Sequence, residues 1–300
     1  MPITIDQAYI QTFENNIRHL AQQSITKLRN YVTETARQSE KHNWERLAQS
    51  NARAKVSARM VSPAGGNGSG AVGSTDGLEY TRRTSLTEIW DAGEVIEQED
   101  PIQMIVDPNA ASTQNLSMAM RRAVDDILIK AATGDALNGD GSTSIFPVAQ
   151  EVGDYLGAIT LDTVLEVQQK FYENDVDPDE RKVFVIGPVQ QRKLMQLMEV
   201  TSGDFQNQKA LATGVLPNWM GFDWVVSNRL LHPTAPGTDV DCLAFSRKAL
   251  GLHVSKDITA SIGLRTDMSF AWQLYCMMGL GAVRVEDEHI VRVKLLDALA

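Results

Sequence analysis

Asp107-Pro-Asn-Ala-Ala-Ser-Thr-Gln-Asn-Leu-Ser-Met-Ala-Met-Arg-Arg-Ala-Val-Asp-Asp-Ile-Leu-Ile-Lys-Ala-Ala-Thr-Gly134 is the stretch on which the fold turns. Asp107 can cap the first free amides, and Pro108 costs nothing at the first helical position, where its missing N–H would have no partner. Leu116, Met120, Ala123, Val124, Ile127 and Ala131 share one face, with Arg121, Arg122, Asp125 and Asp126 elsewhere. Gly134 supplies a C-terminal stop. The spacing predicts a helix over 108–133, about 39 Å long at 1.5 Å per residue, and a helix of that length is a strut.

Upstream, residues 63–77 read Pro-Ala-Gly-Gly-Asn-Gly-Ser-Gly-Ala-Val-Gly-Ser-Thr-Asp-Gly. So many glycines make a loop or tip rather than a helix or strand. Gly68 to Gly73 spells a formal GxGxxG, but a dinucleotide site needs a strand before it and a helix after it. Here a helical pattern precedes and Ser-Thr-Asp-Gly follows, so a nucleotide-dependent enzyme using this loop is the weakest functional reading. From Leu78 to Val106 the chain has strand character: Tyr80, Thr81, Thr84, Leu86, Ile89, Trp90, Val95 and Ile96. Arg82 and Arg83 lie on one arm of this excursion and Glu94, Glu97, Glu99 and Asp100 on the other. An extended arm has little core and exposed edges, so it holds its shape only against something else. Those six charges are candidate interface residues between copies of the chain, with pairing inside one chain as the alternative.

Residues 1–60 carry nine Lys and Arg against five acids, a balance of +4, so the rest must carry −14 of the overall −10. Phe13, Ile17, Leu20, Ile25, Leu28 and Val32 recur at helical spacing, with Arg18, Lys27 and Arg29 off that line. The reading is an amphipathic helical arm that must find its apolar partner elsewhere. Its basic residues either face nucleic acid or belong to an ordinary solvated face.

Downstream the pattern is mixed. Thr160 can cap a helix bearing Leu161, Val164, Leu165, Phe171 and Tyr172. Val183 to Ile186 is a buried strand that leads through Gly187-Pro188 into a helix with Leu194, Leu197 and Met198. Phe222–Val226 and Leu243–Phe245 read as short strands. Val291, Val293 and Leu295 alternate with Arg292 and Lys294, as in a strand with one buried face. Asp175, Asp177 and Asp179 imitate a calcium loop, but Glu180 stands where glycine is needed and Ile186 where the closing carboxylate should be, leaving an acidic turn. The five histidines show no metal spacing, and no nucleophile can be tied to a base, so no catalytic, metal or cofactor site is expected. Cys242 and Cys276 are too few for a disulfide framework and read as buried thiols. A pI near 5.0 argues against a surface that grips nucleic acid throughout. No signal peptide is visible, and the richest apolar run, Phe270–Val283, is too short for a membrane helix.

Three blocks carry a resemblance: Ile105 to Ser112, Met120 to Gly134, and Glu173-Asn-Asp-Val-Asp-Pro-Asp-Glu180. Val200 to Phe205, Gly221-Phe222 with Ser227 to Leu230, and Ser255 to Thr259 extend it. In their order and spacing they resemble the major capsid proteins of tailed bacteriophages with the Hong Kong 97 type (HK-97-like) α+β fold. The resemblance implies an N-terminal arm over 1–54, an extended β-hairpin loop over 55–107, and a peripheral domain with the spine helix over 108–180. It further implies an axial domain over 181–263 and peripheral C-terminal strands over 264–300. It implies a non-enzymatic subunit that self-assembles as hexamers and pentamers into an icosahedral virus head, in the virion after assembly in the host cytoplasm. Double-stranded DNA would be enclosed with weak non-specific contact, Arg18, Lys27 and Arg29 being candidates for the inner surface. Scaffolding, portal and cement or decoration proteins are the implied further partners, and no membrane is involved. Some members cross-link a loop lysine to a neighbour's asparagine, but this chain has no lysine between Lys55 and Lys130, so a noncovalent shell is expected. An encapsulin-like compartment is the related alternative.

Overall fold

The helix expected at 108–133 forms over those residues in the computed structural model of the chain, as α1 (Pro108–Thr133). The structure describes residues 22–47, 80–97, 108–196, 218–235 and 237–297. Asp107, the glycine-rich segment 63–77, and Leu197 and Met198 therefore lie outside the described residues. The buried stripe of α1 is Met120, Val124, Leu128, Ile129 and Ala132, so the expected face is right at Met120 and Val124 and is completed by residues one position on. Asp125, expected off that face, is 1% exposed. Gly134 stops the helix as expected, its N–H bonded to the Lys130 carbonyl at 2.9 Å.

Two units make up the chain. The larger comprises 27–88, 124–255 and 280–300. Its centre is a five-stranded sheet built from β7 (Glu151–Val152), β8 (Lys182–Ile186), β9 (Phe222–Val226), β10 (Asp239–Ser246) and β13 (Ile290–Leu296), in the order β7-β13-β10-β8-β9. β10 is antiparallel to both β13 and β8, and the outer pairs are parallel. Every residue of β8 and β10 is buried, which is why 183–186 and 243–245 within them read as short apolar runs. Phe184 stacks on Trp224 at 4.7 Å and meets Phe222 edge-on at 5.6 Å; burying a side chain of this size is worth about 1.5–3 kcal/mol. Packed on β13 and β7 is α2 (Leu161–Glu173), capped by Thr160 through a reciprocal bond with Thr163. Its buried residues are Val164, Val167 and Phe171, while Leu165 and Tyr172, expected on the same face, are exposed. α3 (Pro188–Gln196) follows β8 and buries Leu194.

In the described part of the arm the expected helix does not form: residues 22–47 hold a 3-10 turn at 29–31 and then β1 (Thr33–Ala36) and β2 (Lys41–Leu47). β1 pairs in parallel with the start of β11 (Leu250–Arg265), Thr33 opposite Gly251 and Ala36 opposite Val254. That pairing supplies strand partners for the backbone of residues 33–36; Ile25, Leu28 and Val32 precede it, and Phe13, Ile17 and Leu20 lie outside the described residues. β13, within the segment 264–300, lies beside β10 and shares its sheet with β8.

The smaller unit comprises 1–26, 89–123 and 256–279. Its described residues include most of β4 (Glu88–Ile96), the later part of β11 and the earlier part of β12 (Ala271–Arg284), with β4 at a sheet edge beside β12. Ile96, Met120, Leu274, Cys276 and Met278 are its buried apolar residues, together with Ala271. Between β11 and β12 the chain turns through Ser269 and Phe270, both at positive φ, an unusual backbone for residues with side chains.

Candidate assembly surfaces

One extended element of the larger unit is a two-stranded ribbon. β2 pairs antiparallel with β3 (Tyr80–Leu86), from Lys41 opposite Leu86 to Leu47 opposite Tyr80. Alternation on a strand splits these residues between two faces. The outer face shows Leu47, Tyr80 and Leu86 to solvent, together with Glu45 and Arg82, which face each other across the strands with a 3.1 Å ion pair. Neither partner of that pair is buried, so it contributes less than about 1 kcal/mol.

The inner face carries Arg46 and Arg83 toward an acidic turn before β13. Arg83 is 4% exposed; its Nη2 donates to Asp287 at 2.8 Å. Asp287 also accepts from Arg284 Nε at 2.5 Å, and Arg46 lies 3.9 Å from Glu288. Arg284, fully buried, donates onward to the carbonyls of Gly134, Ser144 and Ile145, and so fixes the end of α1 to β6 (Thr143–Ser144). Burial holds the Arg83 guanidinium below its usual range, and the neighbouring Arg46 and Arg284 lower it further against the opposing pull of Asp287. Beside this seat, Trp44 covers Gly251: a Cβ there would come within 2.5 Å of the indole. His42 meets Trp44 edge-on at 4.8 Å and stacks on buried His253 at 5.2 Å. His253 Nε2 lies 2.6 Å from the Arg37 carbonyl and its Nδ1 3.1 Å from the Thr87 hydroxyl. Desolvation, then the neighbouring His253 and Arg37, hold His42 below the usual imidazole range.

The arm is held by α1. In the larger unit, the Asp125 carboxylate accepts the backbone N–H of Lys27 at 2.9 Å and of Leu28 at 3.2 Å. Lys27 Nζ donates to the Val226 carbonyl at 2.7 Å, and Asp126 pairs with Arg229. In the smaller unit, Arg121 donates to the Ser24 carbonyl and Arg122 to Gln22. Arg29 pairs with Glu34 at 2.7 Å.

Of the residues singled out from sequence, Arg82 is exposed on the ribbon, whereas Arg83 is buried and bonded to Asp287 of its own chain, as in the alternative of pairing inside one chain. Glu94 and Glu97 are exposed on and just after β4. Lys27 and Arg29 engage their own chain. Arg18, Glu99 and Asp100 lie outside the described residues. Asp125, Asp287, Arg284 and the His42–His253 pair were not singled out from sequence, because partners about a hundred or more residues away give them their roles.

The smaller unit presents a third surface. Ile89, Trp90 and Val95 on β4, and Ile262, Leu264, Met268, Phe270 and Trp272 on and around the β11–β12 turn, are all more than a third exposed. Scattered apolar residues on a surface are ordinary, whereas a group of them on neighbouring strands is a candidate partner surface. Among the described residues no group of His, Cys, Asp and Glu could hold a metal ion, and no helix is long and apolar enough to cross a membrane. Cys242 and Cys276 are both buried free thiols, Cys242 pushed up to about 12 by burial.

Comparison with known proteins agrees with this geometry. Residues 5–297 match the model of one family, described as phage capsid protein. No curated protein matches. The capsid structure of cyanophage P-SCSP1u superposes with a TM-score of 0.74 at 15% identity, covering 98% of this chain and 95% of that one. The capsid of cyanophage Pam1 gives 0.70 at 11%, covering 98% of each chain. A protein of Mycobacterium phage Che8 gives 0.69 at 15%, covering 95% of this chain and 96% of that one. At such identities the likeness speaks to the fold.

Proposed function

This chain belongs to the phage capsid protein family; it is a capsid subunit that assembles with copies of itself into the shell of the virion, and from that premise we propose how it does so. The shell is the icosahedral head of a tailed phage, built from hexamers and pentamers around double-stranded DNA and assembled in the host cytoplasm. The observation that carries the mechanism is the apolar surface of the smaller unit, Ile89 through Trp272. Covering each Å² of it contributes about 25 cal/mol, so a modest contact repeated around a closed shell accumulates. Arg82, Glu94 and Glu97, with Glu99 and Asp100, set which neighbour's surface is accepted, since charge at the rim serves specificity more than affinity. The arm faces the interior. Lys27 bonded to a carbonyl and Arg29 paired to Glu34 have partners within the chain, which favours weak contact with DNA. Buried thiols and a lysine-free loop favour a shell held by noncovalent contacts, with scaffolding, portal or cement proteins as separate partners.

Negative-stain microscopy of the purified chain, alone and with its neighbouring gene products, should show closed shells. Ile262→Glu with Phe270→Glu should leave folded, soluble subunits and no shells. Shells formed by that variant at wild-type yield would contradict the mechanism.

A further inference from the structure

The seat of the ribbon is built at a cost that folding alone does not require. Arg83 is a buried charge beside two other arginines, and among the described residues its Nε and Nη1 meet no acceptor. Buried ion pairs are often no more stabilising than apolar side chains of the same volume, and retaining one is explained better by the geometry it dictates. Here the geometry is specific. Asp287 receives Arg83 from β3 on one oxygen and Arg284 on the other. Arg284 is in turn locked to the end of α1 through the Gly134 carbonyl. The direction in which β2 and β3 leave the body is thereby set by a carboxylate tied to the spine helix. Next to this junction the ribbon touches the body again, where Gly139 N–H donates to the Arg82 carbonyl at 2.9 Å. We infer that Arg83 is a positioning residue for assembly: through Asp287 it fixes the angle of the ribbon that carries Tyr80, Arg82 and Leu47 to a neighbouring subunit. The inference rests on the capsid reading above.

Arg83→Met separates position from stability. It keeps volume, and it leaves Asp287 paired with Arg284, so no charge is orphaned. The expected result is a subunit with a thermal midpoint within a few degrees of wild type, faster amide exchange at Gly139, and a shell yield at least about tenfold lower by microscopy. Arg83→Lys keeps the charge without the planar fork and is expected to give an intermediate yield. Wild-type yield from Arg83→Met would overturn the inference. So would a loss of yield that merely tracks a loss of thermal stability, because that describes an ordinary structural residue. If Arg83→Met does not fold, Arg83→Lys decides, and a wild-type yield from it would likewise overturn the inference. Absence of shells from the wild-type chain under all assembly conditions would count against the capsid mechanism itself, and so is told apart from either result.

Discussion

β10 and the later part of β11 are both well-formed strands, yet they meet opposite environments. β10 is buried at all eight of its positions between β13 and β8. β11 is buried only from Leu250 to Val254, and from Ser255 to Arg265 every position is at least partly exposed, Ile262 and Leu264 included. The first strand is finished by its own chain. The second has hydrogen-bonded neighbours but, among the described residues, no covering layer of the kind a sheet needs on its apolar face. On the proposed mechanism stability rests on the first strand and assembly on the second, so the second can be damaged without the first.

The largest effect should come from β8, beside β10. Phe184→Ala removes a fully buried ring from the aromatic cluster and should cost about 3–5 kcal/mol, enough to lose soluble subunit and shell together in a denaturation series. Ile262→Glu with Phe270→Glu should leave the denaturation midpoint unchanged while abolishing shells; a parallel loss of stability would collapse the contrast. Next is the arm. Asp125→Ala leaves the Lys27 and Leu28 amides without their carboxylate, at about 1–3 kcal/mol for each buried group left unsatisfied. Trypsin should then cut after Lys27 and Arg29 markedly faster, while the sheet of β8 and β10 stays protected. The smallest effect concerns pH at the ribbon root. His42 is held below its unfolded value of about 6.5, so the unfolded chain binds the proton more readily than the native one. Stability should be full above that value and fall as pH drops from about 6.5 through the lower native value. His42→Gln should flatten that slope in thermal melts between about pH 7 and 5; an unchanged slope would assign it to other groups.

These contrasts also explain what could be read from the sequence. α1, the Thr160 cap, β8, β9 and β13 were legible because each is specified locally, by a cap, a stop, or an apolar run or alternation. β2 was not, since its inward residues are His42, Trp44 and Arg46, a face without ordinary apolar alternation. Arg82 and Arg83 looked equivalent, and only the register of β3 sends one outward and the other into the body. Asp125 resembled any helical surface acid until Lys27 and Leu28 arrived from nearly a hundred residues away.

Hydrogen exchange on free subunits and on assembled shells tests the central claim most directly. On assembly β4 and residues 256–279 should gain protection, while β8 and β10, already finished within the chain, should change little. Equal protection of β4 and 256–279 in both forms would contradict it.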